Sequence, residues 1–287
     1  MHPQAAAMKA LFDQPGLQIM PGCGDGMGAR LIEEAGFATG FASGSSICAM
    51  RLAMPDMDLL TFPEMADAIE SIIAAAPKVL WLADGDTGYG NALAVQKTIQ
   101  AYARRGAAAV LIEDKVWPRP LGHNGAKLVI EREAATLRCR AAVEACREEG
   151  ILLLARTDAR TSRGFDEALT RLKAFVTEGA DILFLDSPQS EAETRAAVAA
   201  CNGKPSLAVS SPAGKHFMPG NAELGRIGIK IVVYPQEILA ATVQAVRAAL
   251  GGLKGGVKPP MASPSELATA IRSADYLARD ARWPDPR

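Results

Sequence analysis

Residues 106–114 read Gly-Ala-Ala-Ala-Val-Leu-Ile-Glu-Asp. A glycine closes a helical run, an apolar segment follows at once, and that segment ends in two carboxylates. The same punctuation recurs after Gly36 (FATGFAS), Gly150 (ILLLART), Gly179 (ADILFLDS) and Gly228 (IKIVVYP). Glycine takes the left-handed backbone that ends a helix without a Cβ penalty. Runs rich in Val, Ile and Leu suit strands buried on both faces. Three further strands are read at LQIM around Ile19, VLWLAD ending at Asp84 and PSLAV ending at Val209. The eight strands, near residues 17, 38, 79, 108, 151, 181, 205 and 229, mostly alternate with helices. Such alternation calls for a parallel sheet. Eight units over roughly 250 residues match an α/β fold of the (β/α)8 TIM-barrel type. A doubly wound open sheet is the alternative. Gly22-Cys23-Gly24-Asp25-Gly26 departs from the GxGxxG spacing of a dinucleotide site.

The helices carry their own marks. Phe165, Ala168, Leu169, Leu172, Phe175 and Val176 fall at helical spacing on one face. Asn91 caps a helix that places Val95, Ile99 and Tyr102 on one side. The barrel is expected over residues 1–250. Residues 251–287 read as a Gly-rich linker (251–260) and a last helix opened by Ser263 or Ser265, with Leu267, Ile271 and Leu277 apolar. A helix beyond a linker packs on its own barrel or crosses to a neighbouring subunit.

Composition removes other classes. Of 287 residues, 49% are apolar and 22% charged, a globular balance. Lys and Arg number 31 against 32 Asp and Glu. Nucleic-acid binders carry a basic surplus, so no nucleic-acid partner is expected. No apolar run reaches the ~20 residues of a membrane span. The opening MHPQAAAMKALFDQPG lacks the basic start and long apolar stretch of a signal peptide. Cys23, Cys48, Cys139, Cys146 and Cys201 form no CxxC pair. Free thiols fit a reducing cytoplasm.

Polar residues gather where strands end. The ends read Ser43-Gly44-Ser45, Asp84-Gly85-Asp86, Glu113-Asp114-Lys115, Arg156-Thr157-Asp158 and Asp186-Ser187. In a parallel barrel, chemistry sits at those C-terminal ends. Clustered carboxylates repel unless a cation or proton neutralises them. Oxygen-only donors favour Mg2+ or Mn2+ over zinc. Arg156 offers a fork of donors to a substrate carboxylate. Ser43, Gly44 and Ser45 offer N–H groups and hydroxyls to another anionic group. A divalent ion with two anion receptors describes a site for a small di- or tricarboxylate. Asp114 and Asp158 are also read as turn or cap residues. The long loop after Glu113 carries Lys115, Arg119, His123 and Lys127 and reads as a lid. His123 is a candidate acid or base. Lys127 alone is read as a solvated charge.

These residues carry a family resemblance. Residues 85–91, Gly-Asp-Thr-Gly-Tyr-Gly-Asn, resemble the metal loop of the isocitrate lyase and phosphoenolpyruvate mutase superfamily. Ser43-Gly44-Ser45, Met54-Pro55-Asp56, Leu111–Lys115, Ala155–Asp158 and Val232–Pro235 occur in that family's order and spacing. The resemblance spans nearly the whole chain. It implies a (β/α)8 barrel, a Mg2+ site, a C-terminal helix exchanged between paired subunits, and a homotetramer built from such dimers. It implies 2-oxo or 2-hydroxy acid substrates and a metal-stabilised enolate, nearest to methylisocitrate and dimethylmalate lyases. Position by position it implies metal carboxylates at Asp84, Asp86 and Glu113, which often hold the ion through water. It implies an acidic residue beside them at Asp56, a pyruvyl-carboxylate loop at Ser43, Gly44 and Ser45, and substrate contacts at Arg156 and Asp186. Arg119 and His123 fall in the gating loop.

The chain departs from the pattern at informative places. The lyases carry Lys-Arg/Lys-Cys-Gly-His in that loop, where this chain has Arg119-Pro120-Leu121-Gly122-His123. Leu121 therefore replaces the Cys that acts as general acid. Phe41 stands for a Tyr, Val209 and Pro212 stand for an Asn and a Glu, and Asp186 stands for a Glu. Tyr234-Pro235-Gln236 lacks the His of the oxaloacetate decarboxylases. The expected activity is Mg2+-dependent carbon–carbon cleavage. The alternatives are decarboxylation of oxaloacetate, phosphonopyruvate mutase or hydrolase chemistry, and non-catalytic carboxylate binding.

Overall fold

The computed structural model describes residues 1–120, 127–210 and 216–283. Its eight strands are β1 Gln18–Cys23, β2 Thr39–Ala42, β3 Leu80–Asp84, β4 Ala109–Glu113, β5 Leu152–Thr157, β6 Ile182–Leu185, β7 Leu207–Val209 and β8 Ile231–Tyr234. Each lies where the sequence places a strand. All pairs are parallel, and the order runs β6-β5-β4-β3-β2-β1-β8-β7. Because β1 lies beside β8, the sheet curls into a barrel and the open-sheet alternative falls. The seam between β6 and β7 is closed by a single parallel bridge, Leu183 to Ser206.

The helices are α1 Pro3–Asp13, α2 Gly26–Glu34, α3 Gly44–Leu52, α4 Phe62–Ala75, α5 Ala92–Arg104, α6 Arg132–Glu149, α7 Arg160–Arg163, α8 Phe165–Glu178, α9 Glu191–Ala200, α10 Asn221–Ile227, α11 Glu237–Lys254, α12 Pro264–Ala270 and α13 Ser273–Asp280. Local chemistry sets their ends. Asn91 accepts from the Ala94 N–H at 3.2 Å and caps α5. Gly150 and Gly179 close α6 and α8 in the left-handed region, at φ 72° and 108°. On α8, Ala168, Leu172 and Phe175 are buried as their spacing requires. The five cysteines are free and buried.

The tail differs from its sequence reading in two respects. Gly251 and Gly252 lie in the last turns of α11, and the chain leaves the helix at Gly255. Leu250 and Leu253 keep the apolar pattern going, and a helical Gly costs only about 1 kcal/mol. The single last helix is two helices, split at Arg272, whose backbone is left-handed at φ 55°. Its side chain reaches Glu33 of α2, and α12 lies against α2. No α11 side chain is fully buried, while Val243, Val246, Leu250 and Leu253 are exposed.

Barrel packing leaves little slack between β2 and β3. Gly40 pairs with Trp81 across the ladder. Trp81 is fully buried, and its indole N–H donates to the Ala76 carbonyl at 3.0 Å. A Cβ on Gly40 would sit 2.5 Å from the indole ring. Gly40→Ala is therefore expected to cost about 1–3 kcal/mol by overpacking. Urea unfolding measures this, and an unchanged midpoint would contradict the packing.

Candidate functional site

Parallel strands deliver their C-terminal ends to one rim, so residues far apart in sequence meet there. β2 ends at Ala42, and Ser43 opens α3. β3 ends at Asp84 and enters a loop in which Asp86 and Tyr89 adopt left-handed backbone, at φ 47° and 59°. A side-chain-bearing residue is uncommon there. The loop is held from several sides. The Asp86 N–H donates to Asp84 Oδ1 at 3.3 Å, the Glu113 N–H to the Asp86 carbonyl at 2.9 Å, and Tyr89 Oη to Asp86 Oδ2 at 2.8 Å. The Gly44 N–H at the start of α3 donates to Asp84 Oδ2 at 3.1 Å. Among the expected receptor groups, that N–H is thus engaged by the protein's own carboxylate.

Glu113 and Arg156 are register partners on β4 and β5. Arg156 Nε lies 3.4 Å from Glu113 Oε2, and Lys115 Nζ lies 2.7 Å from Glu113 Oε1. Arg156 also donates from Nε and Nη2 to Asp158, both at 2.7 Å, and from Nη2 to Asp186 at 3.2 Å. Lys127 Nζ joins the same two acids, at 3.0 Å from Asp158 and 2.6 Å from Asp186. Arg156 and Lys127 therefore share two carboxylates in a closed ring. The sequence reading of Lys127 as a solvated charge is corrected here. Its backbone N–H donates to Thr161 Oγ1 and its carbonyl accepts from Ser162 Oγ, which fixes its base. Asp114 has a structural role. It is buried, accepts from Thr157 Oγ1 and the Asp158 N–H, and pairs with the buried Arg171 at 3.1 Å.

The charge balance is uneven. Burial pushes the Asp158 carboxyl up, but Arg156 and Lys127 outweigh it and hold that group far below the usual carboxylate range. Burial lowers the Lys115 ammonium, yet Glu113 and Asp158 raise it overall. Asp84 is compensated only in part, by Arg156 and the Gly44 N–H. Burial, then Glu113, pushes its carboxyl up to about 6. Burial, then Asp84 and Glu113, pushes Asp86 well above its ordinary value. Among the described residues, no three acidic, His or Cys side chains draw close enough to ligate an ion directly.

A cleft of about 490 Å³, partly open to solvent, gathers much of the predicted site. Ser43, Ser45, Asp56, Asp84 and Arg156 line it, and the Ser43 and Ser45 hydroxyls lie 3.1 Å apart. Glu113 and Asp86 do not line it; they contact Arg156 and Asp84, which do. Asp186 acts on Arg156 and Lys127. Arg119 sits at the rim: its Nη1 donates to the Asp56 carbonyl at 2.8 Å, and its Nη2 faces Asp56 and Asp58. Leu121, Gly122, His123 and Pro212 lie outside the described residues. Sequence reasoning missed Tyr89 as a partner of Asp86; its place three residues on in a Gly-rich loop was the available signal.

The model of the phosphoenolpyruvate phosphomutase family matches residues 8–254. The chain belongs to that family. It is 35% identical over 242 residues to the 2,3-dimethylmalate lyase of Eubacterium barkeri, covering 84% of this chain and 83% of that one. An oxaloacetate acetylhydrolase solved with 3,3-difluorooxalacetate superposes with a TM-score of 0.91 at 32% identity, covering 97% and 96% of the two chains. A phosphonopyruvate hydrolase solved with oxalate and Mg2+ superposes with a TM-score of 0.86 at 25% identity, covering 98% and 99%. Membership in the phosphoenolpyruvate phosphomutase family accords with the barrel and with the acidic rim.

The incompletely compensated carboxylates carry a stability cost. With its carboxyl raised to about 6, Asp84 holds a proton better in the folded chain than in the unfolded one. Its contribution is favourable at acid pH and is lost as pH rises through that value. In chelator-treated protein, Asp84→Asn is expected to melt several degrees above the parent at pH 8, with the difference shrinking towards pH 5. Thermal melts at both pH values check this; a lower melting temperature at pH 8 would contradict the incompletely compensated charge.

Proposed function

We propose that this protein is a Mg2+-dependent carbon–carbon lyase acting on a small 2-hydroxy or 2-oxo di- or tricarboxylic acid. One observation carries the reading: an oxygen-only acidic cluster, incompletely neutralised on the β3 side, borders a cleft that also presents Arg156. The donor set fits a hard dication. Asp84, Asp86 and Glu113 offer only oxygens, suited to Mg2+, with Mn2+ as a substitute. Their spacing suits an ion held through its water shell, which Mg2+ keeps readily. When bound, the dication supplies Lewis-acid stabilisation of charge developing on the substrate oxygens.

The chain's own groups orient the acid. The Ser43 and Ser45 hydroxyls offer donors to one carboxylate. Arg156, anchored by Asp158 and Asp186, offers its remaining guanidinium edge to a second. Holding both ends aligns the scissile bond and lowers the entropic part of the barrier. Asp56 and Arg119 occupy the rim, and His123 is the candidate proton donor. Decarboxylation is a second reading, favoured by Leu121 in place of a loop thiol, since loss of CO2 makes smaller demands on a protein acid.

The assembly proposed is a homotetramer of helix-exchanged dimers. The exposed Val243, Val246, Leu250 and Leu253 of α11 and Leu267 and Leu277 beyond it support it. No described helix is long and apolar enough to cross a membrane, and with the free thiols this supports a cytoplasmic location.

With Mg2+ and a panel of 2,3-dimethylmalate, 2-methylisocitrate, oxaloacetate and phosphonopyruvate, one of the first two is expected to yield a 2-oxo acid. Release is followed by a coupled dehydrogenase. Asp86→Ala is expected to lower kcat/KM at least 100-fold while the circular dichroism spectrum is kept. Turnover of oxaloacetate alone would install the decarboxylase reading. Unchanged activity in chelator or in Asp86→Ala would overturn the metal reading.

A further inference from the structure

Charge at the ends of β4 and β5 lies in two layers. Glu113 and Arg156 face each other in the β4–β5 register, and Arg156 lines the cleft. Asp114 and Thr157 each stand one residue further along, so strand alternation turns them away from the cleft. Both are buried. The Asp114 carboxylate there meets Arg171 of α8 at 3.1 Å, and Glu167 holds Arg171 in turn at 2.8 Å. Arg171 is only 1% exposed. Replacing a buried ion pair by apolar residues is often neutral or stabilising, so stability alone does not account for this one.

Asp114 reaches past its own strand to the turn that ends β5. Its Oδ1 accepts the Asp158 N–H at 2.9 Å, and its Oδ2 accepts the Thr157 hydroxyl at 2.7 Å. The Thr157 hydroxyl accepts the Ala159 N–H at 3.3 Å. Thr157, Asp158 and Ala159 are thereby tied, directly or through one hydroxyl, to a single carboxylate. Asp158 is fully buried, and its two oxygens take Nε and Nη2 of Arg156, each at 2.7 Å. Such a bidentate pair fixes the guanidinium plane. That plane also lies over the Phe184 ring, 5.1 Å from the centroid. The same turn leads into α7, where Thr161 and Ser162 bind the backbone of Lys127. A tilt of the turn would move both cations that share Asp158 and Asp186.

We infer that Asp114, backed by Arg171, is a positioning residue: through Thr157 and Asp158 it sets the angle at which Arg156 meets a substrate carboxylate. The inference rests on the reading of Arg156 as a carboxylate receptor and deepens it. Asp114 does not line the cleft, so it acts only through the turn. A small misplacement of a binding group, caused by a change remote from the ligand, costs up to about 100-fold.

The test uses binding, so that it does not depend on turnover. The full chain with Mg2+ is titrated calorimetrically with succinate, which carries two carboxylates and is not cleaved by this chemistry. Thr157→Val keeps the side-chain shape and removes the hydroxyl; it is expected to weaken succinate binding roughly tenfold. Thr157→Ser keeps the hydroxyl and loses a buried methyl group. It is expected to melt below the parent yet bind succinate as the parent does. Asp114→Asn is expected to follow Thr157→Val. In an Arg156→Lys background, which lacks the fork, Thr157→Val should add no further loss, because effects carried through one group are not additive. Mn2+ uptake should be unchanged in both Thr157 variants. Parent-like succinate affinity in Thr157→Val, an equal loss in Thr157→Ser, full additivity with Arg156→Lys, a matching loss of Mn2+ affinity, or no succinate binding by the parent would each overturn the inference. Release of a 2-oxo acid from the substrate panel is followed separately. Its absence, with this binding pattern intact, counts against lyase activity alone. Turnover with KM unchanged in Thr157→Val would overturn the positioning role and leave the lyase reading standing.

Discussion

The rest of the site depends on how its negative charge is balanced around Arg156. Asp158, Asp186 and Glu113 all lean on this one guanidinium, with Lys127 and Lys115 sharing the load. The β5–β6 side of the rim is thereby neutralised by the chain itself. The β3 side is less so: burial and neighbouring acids raise Asp84 and Asp86 more than Arg156 and Lys115 lower them. A protein keeps such an arrangement at a cost in stability, which the proposed dication would remove. The same imbalance sets the polarity of the cleft.

The barrel makes this imbalance possible. Parallel strands bring four carboxylate-bearing ends to one rim, and neighbouring registers fix who meets whom. Glu113 faces Arg156 because β4 and β5 pair in that register. The start of α3 points an N–H at Asp84, as helix N-termini favour anions. The strained loop after β3 turns Asp86 back towards the cluster, and Tyr89 holds it there. Across the cleft, the short strands β7 and β8 contribute Val209 and Val233, and β3 and β4 add Leu82 and Leu111.

Much of this was legible in the sequence. Five of the eight strands lie where a glycine followed by an apolar run placed them and the other three where an apolar run was read, because helix closure and strand burial are both local signals. The strand-end acids were legible for the same reason: a charge at the end of a buried run stands out. Lys127 was not, since its partners come from β5 and β6 and only tertiary structure joins them. Arg171 was hidden likewise, its guanidinium buried against Asp114 from a strand 57 residues earlier in the chain. The tail was misread because its glycines resemble a linker, whereas the flanking leucines keep α11 going. The split at Arg272 has no sequence signal beyond an otherwise ordinary residue adopting left-handed backbone.

Divalent-ion binding is the most direct measure of the incompletely compensated acidic cluster. Calorimetric titration of the chelator-treated protein with Mn2+, in the presence of oxalate, is expected to show one ion per chain, with affinity falling steeply in Asp84→Asn and in Glu113→Gln. Absence of uptake by the parent protein, or equal affinity in both variants, would contradict the account.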